Sequence, residues 1–298
     1  MTTEFIALNG QIIPYEHARI APFDAGFLHG VGLFETMRGV NGRIFRLSDH
    51  LKRLTTSAET LGLPTFLDEK ATADLIGELL EANDLPQARV RLTVTRGDMA
   101  QTDNQHPDPE RTVVISAAPL TGYPEALYAK GMTVTISGCF QNPSSPACGH
   151  KTTSFFERLL ALRQAQAVQA GEALWFTEKK MLAEGCISNV FLVDNEGALA
   201  TPPVALPAAE GFRLVLPGIT RQTVLELAEK QGIAAREKVL YIQDLLGARE
   251  IFLTNAIMGV MPVTRIERHA VADEKPGEWS QKLRSLYESK VQEPAHGS

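Results

Sequence analysis

The chain has 298 residues, which at roughly 100–200 residues per domain predicts one large domain or two. Apolar residues make up 44% and charged residues 21%, the balance of a folded, soluble chain, which excludes the disordered, collagenous and membrane classes. With 29 basic and 35 acidic side chains the net charge is −6, so no global basic field attracts nucleic acid or anionic lipid, and any anionic ligand needs a local site.

Cys139, Cys148 and Cys186 are an odd number with no CxxC pair, which excludes a paired disulfide framework, argues against structural zinc and points to a reducing compartment. The start MTTEFIALNG lacks a basic stretch followed by an apolar one, and no 18-residue apolar run occurs. The expectation is a cytoplasmic protein with neither membrane nor nucleic acid as partner.

In chain order, Phe5, Ala7 and Leu8 begin a short strand that turns at Asn9-Gly10. Leu33 to Leu47 carries Asn41-Gly42 at its middle, a strong hairpin signal because both residues tolerate positive φ. Ser48 is placed to cap a helix in which Leu51, Leu54, Ala58 and Leu61 recur at helical spacing, stopped by Gly62 and Pro64, with His50 and Arg53 near its start. A second helix fits Asp68 to Asn83, with Leu75, Ile76, Leu79 and Leu80 inward. Arg89 to Arg96 alternates, so Val90, Leu92 and Val94 share one face while Arg89, Arg91, Thr93 and Thr95 share the other. Asp98 to Arg111 reads as a loop and Thr112 to Ser116 as a strand.

Pro119, Gly122 and Pro124 mark a boundary, giving a small α/β domain over 1–118, a linker over 119–129 and a large domain over 130–298. Beyond it come strands at Met132 to Ser137, Leu174 to Thr177, Val190 to Val193 and Glu250 to Thr254. Helices fit about Thr153 to Ala170 and the stretch after Leu216-Pro-Gly-Ile-Thr220. The class is α+β with a helix-rich second half.

Several groups can carry chemistry, each with a plainer reading beside it. Lys151, just before an apolar helix, suits a Schiff-base nucleophile whose pKa desolvation would lower, or a solvated loop lysine. At Leu216-Pro-Gly-Ile-Thr-Arg221, Gly218 lets backbone approach and the N–H groups of Ile219 and Thr220 face an anion; an ordinary helix start looks the same. Thr254-Asn255-Ala256 adds donors to that anion or forms a turn. Glu184 sits at a tight Gly turn with Ser188 and Asn189, as a partnered buried carboxylate or a surface turn. The histidines have no HxH or HExxH spacing, so no metal site is expected. The glycines from Asp24 to Gly32 fit no phosphate-loop or dinucleotide pattern.

The order of these motifs is more informative than any one of them. Phe23-Asp-Ala-Gly-Phe-Leu-His-Gly-Val-Gly-Leu-Phe-Glu-Thr-Met-Arg38, His50-Leu-Lys-Arg53, Lys151, Glu184-Gly-x-x-Ser-Asn-Val-Phe191, Leu216-Pro-Gly-Ile-Thr-Arg221 and Thr254-Asn-Ala-x-x-Gly-Val-x-Pro-Val263 together resemble the class IV aminotransferases. These are the fold-type-IV pyridoxal-phosphate enzymes: branched-chain and D-amino-acid aminotransferases and 4-amino-4-deoxychorismate lyases. The resemblance spans roughly residues 5 to 267 and implies a two-domain α+β fold like that of the D-amino-acid aminotransferases.

It further implies pyridoxal 5'-phosphate as cofactor and a homodimer acting on amino acids and 2-oxo acids. Lys151 would make the Schiff base and later carry the proton between Cα and C4′, and Glu184 would pair with the pyridinium nitrogen. Arg53, Ile219 and Thr220 would hold the phosphate, with Ser188, Asn189, Asn255 and Ala256 also around the cofactor. Phe34, Arg89 and Arg91 would face substrate.

The departures bear on substrate. Where many members have tyrosine five residues after the lysine, this chain has Phe156. Thr95-Arg96-Gly97 is followed by Asp98-Met-Ala-Gln, without the Arg-x-His of the D-specific enzymes. The branched-chain enzymes' Tyr-x-Arg-Pro appears as Arg89-Val-Arg91-Leu, and Phe34 to Arg38 with Asn255 to Val263 is most similar to the lyases. Transamination leads, pyruvate-eliminating lyase activity is the alternative, and a non-catalytic anion-binding homologue is third.

Overall fold

In the computed structural model, residues 4–63, 67–101, 110–206 and 213–293 are described. They divide into two compact units, Met1–Thr121 with His150–Phe155, and Gly122–Gly149 with Phe156–Ser298. The segment around Lys151 thus belongs to the first unit rather than to the second domain expected over 130–298.

The first unit runs β1 (Phe5–Leu8), β2 (Gln11–Pro14), α1 (Ala25–His29), β3 (Gly32–Val40), β4 (Arg43–Ile44), α2 (Leu47–Thr60), α3 (Glu69–Ala82), β5 (Gln87–Thr95) and β6 (Val113–Pro119). The strands form an antiparallel sheet in the order β2-β1-β6-β5-β3-β4. Both Asn-Gly pairs make two-residue hairpins: Asn9 and Gly10 have φ of 51° and 82°, Asn41 and Gly42 of 51° and 75°. Positive φ at both positions twists the turn to match the strands. Along β5, Ala88, Val90, Leu92 and Val94 enter a core with Met37, Leu51, Leu54, Ile76, Leu79 and Leu80, while Arg89 and Arg91 stay on the opposite face.

Asp68 caps α3 by accepting the Ala71 N–H at 2.7 Å. Ser48 does not cap α2: the helix starts one residue before it, from Arg46 in the left-handed region at φ 55°. Pro64 and most of the loop expected after Asp98 lie outside the described residues.

The second unit runs α4 (Glu125–Lys130), β7 (Met132–Gln141), α5 (Phe156–Ala167), β8 (Glu172–Thr177), β9 (Leu182–Gly185), β10 (Asn189–Val193), β11 (Leu199–Thr201), α6 (Ile219–Lys230), β12 (Ala235–Glu237), α7 (Ile242–Leu246), β13 (Glu250–Asn255), β14 (Gly259–Ile266), β15 (His269–Ala270) and α8 (Glu278–Gln292). A nine-stranded mixed sheet, β12-β11-β10-β13-β14-β7-β8-β9 with β15 on β14, dominates it, so the expected helix-rich half is instead built on a sheet. The strands expected at 132–137, 174–177, 190–193 and 250–254 are present, and β9, β11, β12, β14 and β15 join them; β14 is buried along nearly its whole length and shows no alternation that would mark it. Residues 125–130, expected as linker, form α4 and bury Tyr128. Among the described residues no helix is long and apolar enough to cross a membrane.

Candidate active site

In the first unit, residues 151–153 extend β3 by one short rung. The Phe34 amide donates to the Lys151 carbonyl at 2.9 Å, the Thr153 amide donates to the Gly32 carbonyl at 2.9 Å, and Thr152 bridges Leu33. That pairing sets Lys151 Nζ 4.4 Å from the Phe34 ring centroid and 6.0 Å from that of Phe155, which meets Phe34 edge-on at 5.5 Å. Phe155 is therefore the aromatic neighbour of the lysine, whereas Phe156, at the position where many family members have tyrosine, opens α5 and is 77% exposed.

The Arg91 guanidinium lies 3.7 Å from the same Phe34 centroid and donates to Thr93 Oγ1. Arg89 and Arg91, with Thr36, Ser116, Ala117 and Ala118, line a cavity of about 340 Å³. Among the described residues no carboxylate lines it, and burial together with the Arg89 charge pushes the Arg91 guanidinium below its usual range. A cavity of that charge suits a carboxylate ligand.

On the buried face of β3, Glu35 accepts from Arg53 Nε at 2.8 Å and Arg53 NH2 at 2.5 Å, and its Oε2 lies 2.8 Å from His50 Nδ1. Burial pushes the Glu35 carboxyl up, but the Arg53 charge and the His50 and Arg53 hydrogen bonds more than offset it and hold it at about 2. Burial pushes His50 down, against the raising effect of Glu35. Arg53, the expected phosphate ligand, presents its guanidinium fork to Glu35.

In the second unit, β9 ends at Glu184-Gly185 and the chain turns into β10. Glu172 holds the turn, accepting N–H groups of Ala173, Cys186 and Ile187 at 2.9–3.2 Å and the Ser188 hydroxyl at 2.9 Å. Burial pushes its carboxyl up, against these hydrogen bonds. Glu184 Oε1 accepts from Arg158 NH2 at 2.6 Å, and Oε2 from the Leu216 amide at 2.9 Å and Asn189 Nδ2 at 3.4 Å.

α6 opens nearby. Its first backbone bond is Gln222 N–H to the Gly218 carbonyl, which leaves the Ile219 and Thr220 N–H groups ahead of the ladder, and Gly218 offers no side-chain cap. A Cβ on Gly218 would collide with Asn189 Oδ1, and Asn189 is paired across the sheet with Thr254. The Thr254 hydroxyl is buried without a hydrogen-bond partner. Asn255 stays local: its Oδ1 accepts the Ile257 and Met258 N–H groups and its Nδ2 donates to the Ile187 carbonyl, while Ala256 lies in the turn that follows.

The amino-transferase class IV family profile matches residues 32–266. This chain belongs to that family. A Methanocaldococcus jannaschii protein named for a branched-chain-amino-acid aminotransferase is 32% identical over 95% of this chain and 94% of its own. Aminodeoxychorismate lyase of Bacillus subtilis is 28% identical over 98% and 96%. The T.th. branched-chain amino acid aminotransferase, solved with pyridoxamine 5'-phosphate, superposes with a TM-score of 0.87 at 25% identity, covering 98% of this chain and 95% of that one. The class IV fold, α+β in two units, is the fold described above.

The residues present fit the family's cofactor. The donors ahead of α6 and the unpaired Thr254 hydroxyl suit a phosphate dianion, and Glu184 is a carboxylate for a ring cation. Arg158, Glu172 and Glu35 escape sequence reading. Their partners lie 26, 16 and 18 residues away, although Glu172 leaves one trace as the lone charge in an otherwise uncharged, fully buried strand.

Proposed function

We propose that this chain is a pyridoxal-phosphate-dependent aminotransferase that passes an amino group from an amino acid to a 2-oxo acid in a ping-pong cycle, as a homodimer. The observation that carries this reading is the pair of cations over the Phe34 ring. Lys151 Nζ and the Arg91 guanidinium lie 4.4 and 3.7 Å from its centroid, which bounds their separation at about 8 Å. An amine and a carboxylate anchor within that bound suit the two ends of an α-amino acid.

When bound, the cofactor supplies an aldehyde for the amine and an electron sink for the Cα carbanion. Lys151 holds it and moves the proton at Cα. Phe34 and Phe155 exclude water from the amine, and Glu184 holds the proton on the ring nitrogen. The N–H groups of Ile219 and Thr220 and the Thr254 hydroxyl bind the phosphate, with Arg53 as its expected cationic partner. Arg89 and Arg91 take the substrate carboxylate.

The Bacillus subtilis likeness and the Phe34–Arg38 motif favour a second reading, elimination of pyruvate from aminodeoxychorismate. Incubating the loaded enzyme with an amino acid alone separates them. A transaminase turns over once and waits for a 2-oxo acid; pyruvate released from aminodeoxychorismate without any acceptor identifies the lyase instead.

A further inference from the structure

Arg158, in the first turn of α5, belongs to no motif, yet its guanidinium is held on several sides. NH1 donates to the Gly185 carbonyl at 2.9 Å and the Cys186 carbonyl at 3.2 Å; NH2 donates to Gln141 Oε1 at 3.1 Å and Glu184 Oε1 at 2.6 Å. It stands 5.3 Å from the Trp175 ring centroid. The Arg158 and Glu184 side chains are 21% and 5% exposed, so this pair is not a solvated surface contact.

Glu184 Oε2 is occupied by the Leu216 amide and Asn189, whereas Oε1 has Arg158 alone and can accept once more. Two acidic groups also face this turn. The Cys148 thiol is pushed up to about 11, by burial first and then by Glu184, and the Glu172 carboxyl faces the turn from β8. Among the described residues Arg158 is thus the one cation hydrogen-bonded to Glu184.

We propose that Arg158 is a positioning residue that shares the Glu184 carboxylate with the cofactor's ring nitrogen and thereby loosens that nitrogen's hold on its proton. The inference rests on the function proposed above. A carboxylate already bonded to a guanidinium has less negative potential left for a second cation, and the guanidinium repels that cation directly. The ring remains an electron sink, but its proton affinity is set by two residues rather than by Glu184 alone.

The test follows the NMR signal of 15N-labelled pyridoxal phosphate across pH in the loaded wild type, R158M, R158Q and R158K. Removing the charge in R158M and R158Q raises the ring-nitrogen midpoint by about one unit or more, a tenfold tighter hold on the proton. R158K, which keeps the charge while losing the fork, stays close to wild type. A purely structural role loosens all three variants alike. An unmoved or lowered midpoint in R158Q, which retains a neutral donor of similar reach, overturns the inference even if R158M fails to fold. A wild type that gives no bound ring-nitrogen signal overturns the proposed function and this inference together; a bound signal with an unmoved midpoint overturns the inference alone.

Discussion

Lys151 reaches the Phe34 ring because its own carbonyl takes the Phe34 amide, so backbone pairing aims the side chain. Borohydride reduction followed by peptide mapping is expected to place the pyridoxyl label on Lys151; a label on Lys179 or Lys180 refutes the assignment. Arg91 differs in kind, since it lines an open cavity beside Arg89 without a carboxylate partner in that lining. Arg91→Leu is expected to raise the Michaelis constant for amino-acid donors by roughly ten- to a hundredfold, the 1.5–3 kcal/mol of a charge-assisted hydrogen bond, and to leave cofactor binding and reaction with a simple amine intact. Equal losses on amino acid and amine would assign the arginine to the fold instead. Arg91 is legible in the sequence because strict alternation fixes its face. Arg158 is not legible, because its pairing with Glu184 depends on how α5 packs over β7 and β8, which no local pattern encodes.

Elements carry the next effects. β3 and α2 are joined by Glu35, Arg53 and His50, a carboxylate held at about 2 beside a histidine pushed down by burial. Both folded-state values lie below the unfolded ones. The histidine contribution is therefore lost as pH falls below about 6.5, and that of Glu35 fades between about pH 4.5 and 2. The Glu35 share amounts to about 3 kcal/mol at neutral pH. Denaturation across that window should show Glu35→Gln less stable than wild type at pH 7 and the difference closing toward pH 2; a constant difference would refute the linkage. Where α6 begins against β13, Thr254→Val removes a buried unpaired hydroxyl, so the cofactor-free protein is expected to gain about 1 kcal/mol while cofactor affinity drops about fivefold. Unchanged affinity, measured by fluorescence titration, would move the phosphate away from Thr254. The α6 start and both Asn-Gly hairpins are legible because Gly and Pro act through their own backbone. The mixed sheet is legible only strand by strand: Val190-Phe-Leu-Val193 reads as a strand, but that it lies between β11 and β13 is set by packing no local run encodes.

For the whole molecule, the second unit leaves Phe156, Leu159 and Leu160 on α5 and Ile136 and Phe140 on β7 exposed, from 39% for Ile136 to 77% for Phe156. Large apolar side chains grouped on mutually packed elements mark an association surface, and a second copy is the proposed occupant. Sedimentation of F156E/L160E should show monomer at concentrations where wild type is dimeric, with circular dichroism unchanged; a persistent dimer would place the interface elsewhere. The return of residues 150–155 to β3 has a consequence for synthesis. A nascent chain that has emerged only as far as Thr121 holds all six strands of the first sheet, but Gly32 and Phe34 still lack the backbone partners supplied by Thr153 and Lys151. At roughly 5–20 residues per second the missing rung arrives some seconds later, after the first strand of the other unit has been made. The amino-terminal unit is thus completed by a later segment that also brings Lys151, the proposed Schiff-base residue, so a truncated message yields neither a finished sheet edge nor that lysine.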